Sequence, residues 1–132
     1  MENRLLYVSP TEIFEIKLNA QIDDAIFLGE IDGGSIGSIS EYLALMSELF
    51  KFPTPSRSLD SYNDWMRDLD WLGKDSYVLI VYNYAKLFSN DNKLKSVIID
   101  GFEQVILPWW QREVEDCVVG GKVKSFNVYL VH

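Results

Sequence analysis

The chain has 132 residues, 48% of them hydrophobic, and a formal charge of −8. That length and apolar content fit one domain, residues 1–132, able to bury a core without disulfides or metals, and they exclude intrinsic disorder. No apolar run approaches the roughly 18 residues that span a bilayer, and a surface this acidic repels phosphate backbones, so the expected partner is a cationic protein rather than a membrane or a nucleic acid.

The opening Met1-Glu2-Asn3-Arg4 carries no basic region followed by an apolar segment and a cleavage site, so no signal peptide is expected. Cys117 is the single cysteine, which rules out an intramolecular disulfide and agrees with a reducing, cytoplasmic compartment. The only histidine is the C-terminal His132, which leaves no base to activate Cys117 or to build a Ser–His–Asp triad unless that terminus folds back.

Residues 1–25 read as an elaboration preceding a core at 26–132. Leu5–Val8 and Ile13–Leu18 have strand-like apolar content, with Thr11-Glu12 as a turn between them. Ala25–Ile31 is a short apolar run that ends at Asp32-Gly33-Gly34, a turn signal. Ser38 with Glu41 three residues on is a capping-box pattern, and Ile39, Leu43, Met46 and Phe50 follow at helical spacing. Phe52-Pro53-Thr54-Pro55 stops that helix, because proline lacks the N–H a helix needs.

A second helix is expected from Leu59 to Leu72, capped by Ser58, with Leu59, Tyr62, Met66 and Leu69 as its apolar stripe. Tyr77–Tyr82 is a nearly continuous run of β-formers, the pattern of a strand buried on both faces. Tyr84–Phe88 reads as a short helical turn. The loop Ser89–Asn92 precedes a third helix carrying Leu94, Val97, Ile98, Phe102, Val105 and Ile106, which Pro108 kinks or ends. The segment 109–121 is ambiguous. Trp109-Trp110 there fits core packing or a recognition patch. Phe126–Val131 reads as the last strand. Strands separated by helices imply an α/β fold with a small three-stranded parallel sheet, plus extra N-terminal strands.

The chemistry concentrates on the second helix. At about 100° per residue, Asp60, Asp64 and Asp68 form one i, i+4, i+8 row opposite the apolar stripe. Like charges at this spacing weaken a helix, and Asp is a poor helix former beyond the first turn. Two readings of the row stand side by side. It is either an ordinary solvated face, with Arg67 partly neutralising Asp64, or a rigid row of carboxylates offered to a cationic pocket. A row on one exposed face offers no convergent ligand set, so neither metal nor cofactor is expected. Gly33-Gly34-Ser35-Ile36-Gly37 lacks the Gly-Lys-Ser/Thr ending of a phosphate loop.

The stretch Ser58-Leu59-Asp60-Ser61-Tyr62-Asn63-Asp64-Trp65-Met66-Arg67-Asp68-Leu69 resembles the inhibitory-helix motif of the barstar family, an Asn-(Leu/Trp)-Asp-Ala-Leu-x-Asp-Cys-Leu type pattern. Ile31–Glu41 resembles the end of that family's first strand, its turn and the start of its first helix, and Pro53 falls where the family places a proline before its binding loop. The ordered matches cover roughly residues 26–72, and the later strand, helix and strand fall where the family has them.

The resemblance implies a monomeric, non-catalytic protein that binds a basic ribonuclease or toxin nuclease one-to-one. Asp60 and Asp64 match the family's two inhibitory aspartates, and Asp64 matches the one that stands in for a substrate phosphate. An ungapped match of Ser96-Val97 puts Glu103 at a further acidic contact position. With Asp68, Arg57, Asn63 and Arg67 these form the expected partner-binding set. Departures are visible too. Thr54-Pro55-Ser56-Arg57 is shorter than the family's Tyr-(Tyr/Phe)-Gly loop, has no aromatic and adds a cation, while Asn63 and Trp65 replace residues that are often Trp and Cys. One rival reading keeps the fold but makes the partner a non-ribonuclease toxin. Another makes the protein an enzyme with a small acidic site.

Overall fold

The computed structural model describes residues 2–132. Its chain order is β1 (Leu5–Val8), α1 (Pro10–Gln21), β2 (Ile26–Asp32), α2 (Ile39–Leu49), α3 (Leu59–Met66), β3 (Ser76–Tyr82), α4 (Asn92–Gly101), α5 (Val114–Cys117) and β4 (Ser125–Val131), with short 3-10 and π-helical turns between them. The four strands form one sheet of order β1-β4-β3-β2 with every neighbouring pair parallel.

The sheet therefore has four strands where three were expected from the sequence. The fourth is β1, which pairs Leu5 with Val128 and Val8 with Val131 along the free edge of β4. The second expected N-terminal strand is a helix. Ile13–Leu18 lies inside α1 because Ser9 caps it, accepting from Glu12 N–H at 3.2 Å while Glu12 accepts from Ser9 N–H at 3.1 Å, with Pro10 at the first helical position. What read as a β-turn at Thr11-Glu12 is the first turn of that helix.

Both faces of the sheet carry apolar side chains, as parallel strands require. Tyr77, Leu79, Val81, Phe126, Val128 and Leu130 point into the main core, against Tyr42, Met46 and Phe50 of the α2 segment and Tyr62 and Met66 of α3. On the opposite face Val8, Ile80 and Val131 meet Ile13 of α1. The turn after β2 needs glycine because a Cβ on Gly33 would lie 2.7 Å from the Asn83 carbonyl oxygen. Asp32 Oδ1 accepts from Gly34 N–H and Asn83 Nδ2 there, and those bonds hold its carboxyl below the usual range.

The helical path from α4 does not stop at Pro108. It continues through π-helical turns at Phe102–Ile106 and Trp109–Glu113 into α5. Pro108 sits between the two turns with helical backbone angles of φ −63° and ψ −33°. A π-turn shifts the bonding pattern to i→i+5, which relieves the demand for a regular donor at the proline. Asn3, buried, ties the N-terminus to this segment. Its side-chain amide donates to the carbonyls of Leu107 and Lys124, and its side-chain oxygen accepts from Phe126 N–H.

Candidate functional site

α3 is fixed from behind and from its entry. Tyr62 and Met66 are fully buried, and the Tyr62 hydroxyl meets the Tyr42 hydroxyl of α2 at 2.6 Å. Ser58 caps the helix by accepting from Ser61 N–H at 3.2 Å. The loop before it is pinned by hydroxyls. Ser56 N–H donates to Ser47 Oγ at 2.9 Å, and the Ser56 and Ser61 hydroxyls lie 3.0 Å apart. Ser47 and Ser56 are buried and belong to different elements, so no local pattern in the sequence pointed to them.

With its apolar side held, α3 turns Asp60 and Asp64 outward, and both are exposed. The helix is shorter than expected. It ends at Met66, and Leu69 takes a left-handed backbone, φ 58°, that turns its side chain fully into the core. Asp68 therefore does not continue the helical row. It lies beyond the cap residue Arg67, half-buried, with its carboxylate toward Asp70 N–H at 3.4 Å.

Asp68 nonetheless stays beside Asp64. Asp64, Arg67, Asp68 and Asp70 form one wall of a groove of about 600 Å³, and Trp109, Val118–Gly121, Lys122 and Lys124 form the other. Arg67 makes three contacts at the lip. Its Nε donates to the Asn63 carbonyl at 3.1 Å, its Nη2 to Asp64 Oδ1 at 2.8 Å, and its guanidinium carbon lies 5.6 Å from the Trp109 ring centroid. The Asp64 side chain is 73% exposed in that pair, so its second oxygen is open to solvent and the pair itself adds little stability.

The two adjacent tryptophans divide their work. Trp110 is buried and donates its Nε1 to the Met66 carbonyl at 2.9 Å, which stitches the π-helical segment to the end of α3. Trp109 is half-buried and faces the groove under Arg67. The other expected contact residues are dispersed. Arg57 is exposed in the loop before α3, and Asn63 is half-buried. Asn63 packs near Gly101, where a Cβ would come 3.9 Å from its Oδ1. Glu103 is exposed but lines a different concavity, of about 460 Å³, with Asn3, Leu6 and Gln111.

Among the described residues no cluster of three His, Cys, Asp or Glu side chains could hold a metal, and no helix is long and apolar enough to cross a membrane. What the arrangement offers chemically is a rigid set of exposed carboxylates at the edge of a groove, suited to accept charge-assisted bonds from guanidinium or ammonium groups.

A protein-family model described as Barstar (barnase inhibitor) matches residues 26–120, well over half of the chain. No curated protein and no solved structure matches.

Proposed function

The chain belongs to the barstar (barnase inhibitor) family, and from that premise we propose that it inhibits a basic ribonuclease by setting the α3 carboxylates into the enzyme's cationic active site. The family consists of inhibitors, so the reading is stoichiometric blockade without catalysis. Asp64 takes the place of a substrate phosphate and Asp60 flanks it. Asp68 and Asp70 extend the negative field along the groove and steer the encounter. In a bacterial cytoplasm such a protein guards the cell against its own or a neighbour's toxin nuclease, with one copy binding one nuclease.

The observation that carries this reading is the exposure of Asp60 and Asp64 on a helix whose opposite side, Tyr62 and Met66, is fully buried. A helix anchored this way holds its carboxylates without the ordering cost that flexible side-chain carriers impose. The test is capture of the partner from the source cell with the immobilised chain, followed by an RNA-cleavage assay of the captured protein. The expected result is a basic ribonuclease, blocked at equimolar chain and released by Asp64→Ala. A captured protein without nuclease activity would overturn the reading.

A second reading, immunity to a toxin that is not a ribonuclease, draws on the loop Thr54–Arg57. It presents an exposed cation and no aromatic next to the acidic helix. The same capture experiment separates the two.

A further inference from the structure

The outward side of α1 is apolar where a solvent-facing helix should be polar. Ile13 and Ala20 are buried against the sheet and Ile16 is half-buried. Phe14, Leu18 and Ile22 form a second row, at i, i+4 and i+8, on the far side of the helix, where they are 70%, 47% and 76% exposed. At on the order of 200 Å² for a large exposed side chain, this one ridge offers roughly 400 Å² of apolar surface. Contiguous patches of that size on a monomer are commonly functional.

The sheet face beneath is also thinly covered. Among the described residues α1 is the only helix on it, and Ile26, Leu28, Val78 and Tyr129 stay half-buried there, whereas parallel sheets normally bury both faces. All of α1 lies before residue 26, outside the stretch that matches the family model.

We propose that this ridge is the interface between two copies of the chain, with α1 packed antiparallel on α1 of the second copy about a two-fold axis at Leu18. Three features select a second copy over another occupant. A standard-size specific interface takes about 800 Å² from each partner, and in homodimers about two-thirds of the interface is apolar. The ridge supplies most of that apolar share. The row is self-complementary, because centring it on Leu18 sets Phe14 against Ile22 of the second copy. An i±4 row is also the kind of ridge that helix pairs interdigitate. Third, the three ridge residues are themselves uncharged on a chain of −8, with the exposed Glu15 at their flank, and Lys17, on the side toward the sheet, is already paired with Glu30 at 3.0 Å. A strongly acidic chain tolerates its own copy best where it carries no charge. The sheet separates α1 from α3, so pairing here leaves the acidic helices on the outer sides of the dimer, each free for its own partner.

Sedimentation equilibrium of the full chain, from low micromolar to submillimolar concentration, tests this directly. The expected mass moves from one chain to two, and added salt strengthens the association by screening the repulsion between two acidic chains. Leu18→Glu sets two carboxylates together at the axis and should weaken the dimer at least about tenfold while circular dichroism stays unchanged. On a Cys117→Ser background, Leu18→Cys should cross-link to itself on oxidation and Thr11→Cys should not. A chain that stays at single-chain mass throughout would overturn the proposal, whatever else the ridge then binds. So would a Leu18→Glu chain that dimerises like the wild type, or a Leu18→Cys chain that fails to cross-link.

Discussion

Arg67 donates to Asp64 across 2.8 Å, so the carboxylate best placed to meet a cationic partner is already touching a cation of its own chain. That guanidinium is also held by the Asn63 carbonyl and the Trp109 ring, which keeps it at the lip of the groove. The contact is an exposed one, and a partner's arginine or lysine has only a weak bond to displace.

Removing the internal competitor should therefore tighten binding. Arg67→Ala is expected to raise affinity for the captured nuclease by a factor of up to about five, the equivalent of a surface pair worth ~1 kcal/mol or less. Isothermal titration calorimetry reads this directly. A loss of affinity would mean that the guanidinium itself contacts the partner.

Asp64→Ala should leave the fold intact, since the side chain is 73% exposed and packs against nothing in the core. Its effect belongs to binding. We expect a loss of ~2 kcal/mol or more, as for a charged residue at the centre of an interface. Association of the wild-type chain should also slow as salt rises, because steering is screened over roughly 10 Å at 0.1 M. Stopped-flow rates across a salt series check both, and a salt-independent on-rate would contradict electrostatic steering.

The Tyr42–Tyr62 pair predicts a particular pattern of stabilities. Each single Tyr→Phe change strands the remaining buried hydroxyl and should cost about 1–3 kcal/mol. The double change Tyr42→Phe with Tyr62→Phe removes both polar groups and keeps the packing, so it should cost less than the sum of the singles. Urea denaturation of the four proteins forms the cycle. Additive costs would show that the bond does not couple the two helices.

The same pair fixes a pH response. Burial raises both phenols above their ordinary value of 10.0, the first cause in each case. Below that value both states keep their protons and the stabilisation is whole. As pH rises past it, the unfolded chain releases these protons while the folded chain holds them. Stability then falls, by about 1.4 kcal/mol per pH unit for each such tyrosine. Urea midpoints should be flat just below pH 10 and drop steeply above it, with a shallower drop in the double Phe protein. Equal slopes in the two proteins would refute the assignment.

Much of this molecule was legible in its residues because the signals are local. Strand β3 reads as a run of β-formers, and Ser38 and Ser58 announce α2 and α3 by caps whose hydrogen bonds span three residues. The outward Asp60–Asp64 pair follows from helical periodicity and the burial of Tyr62 and Met66. The errors have the same locality. Ile13–Leu18 is β-prone by composition, yet Ser9, Pro10 and Glu12 start a helix there, and Leu59–Leu72 keeps helical spacing past the point where the helix stops.

Chain order and side-chain period thus determined the α/β class, the four core elements from β2 to β3 and the face on which Asp60 and Asp64 stand. The tertiary structure alone decided that β1 would extend the sheet beside β4, that Leu69 would turn left-handed into the core, and that Trp109 and Lys122 would join Asp64 and Arg67 around one groove. Those outcomes depend on contacts between residues far apart in the chain. Their free energy comes from apolar surface and hydrogen-bonding groups that only the folded chain brings together, so no local stretch of sequence records them.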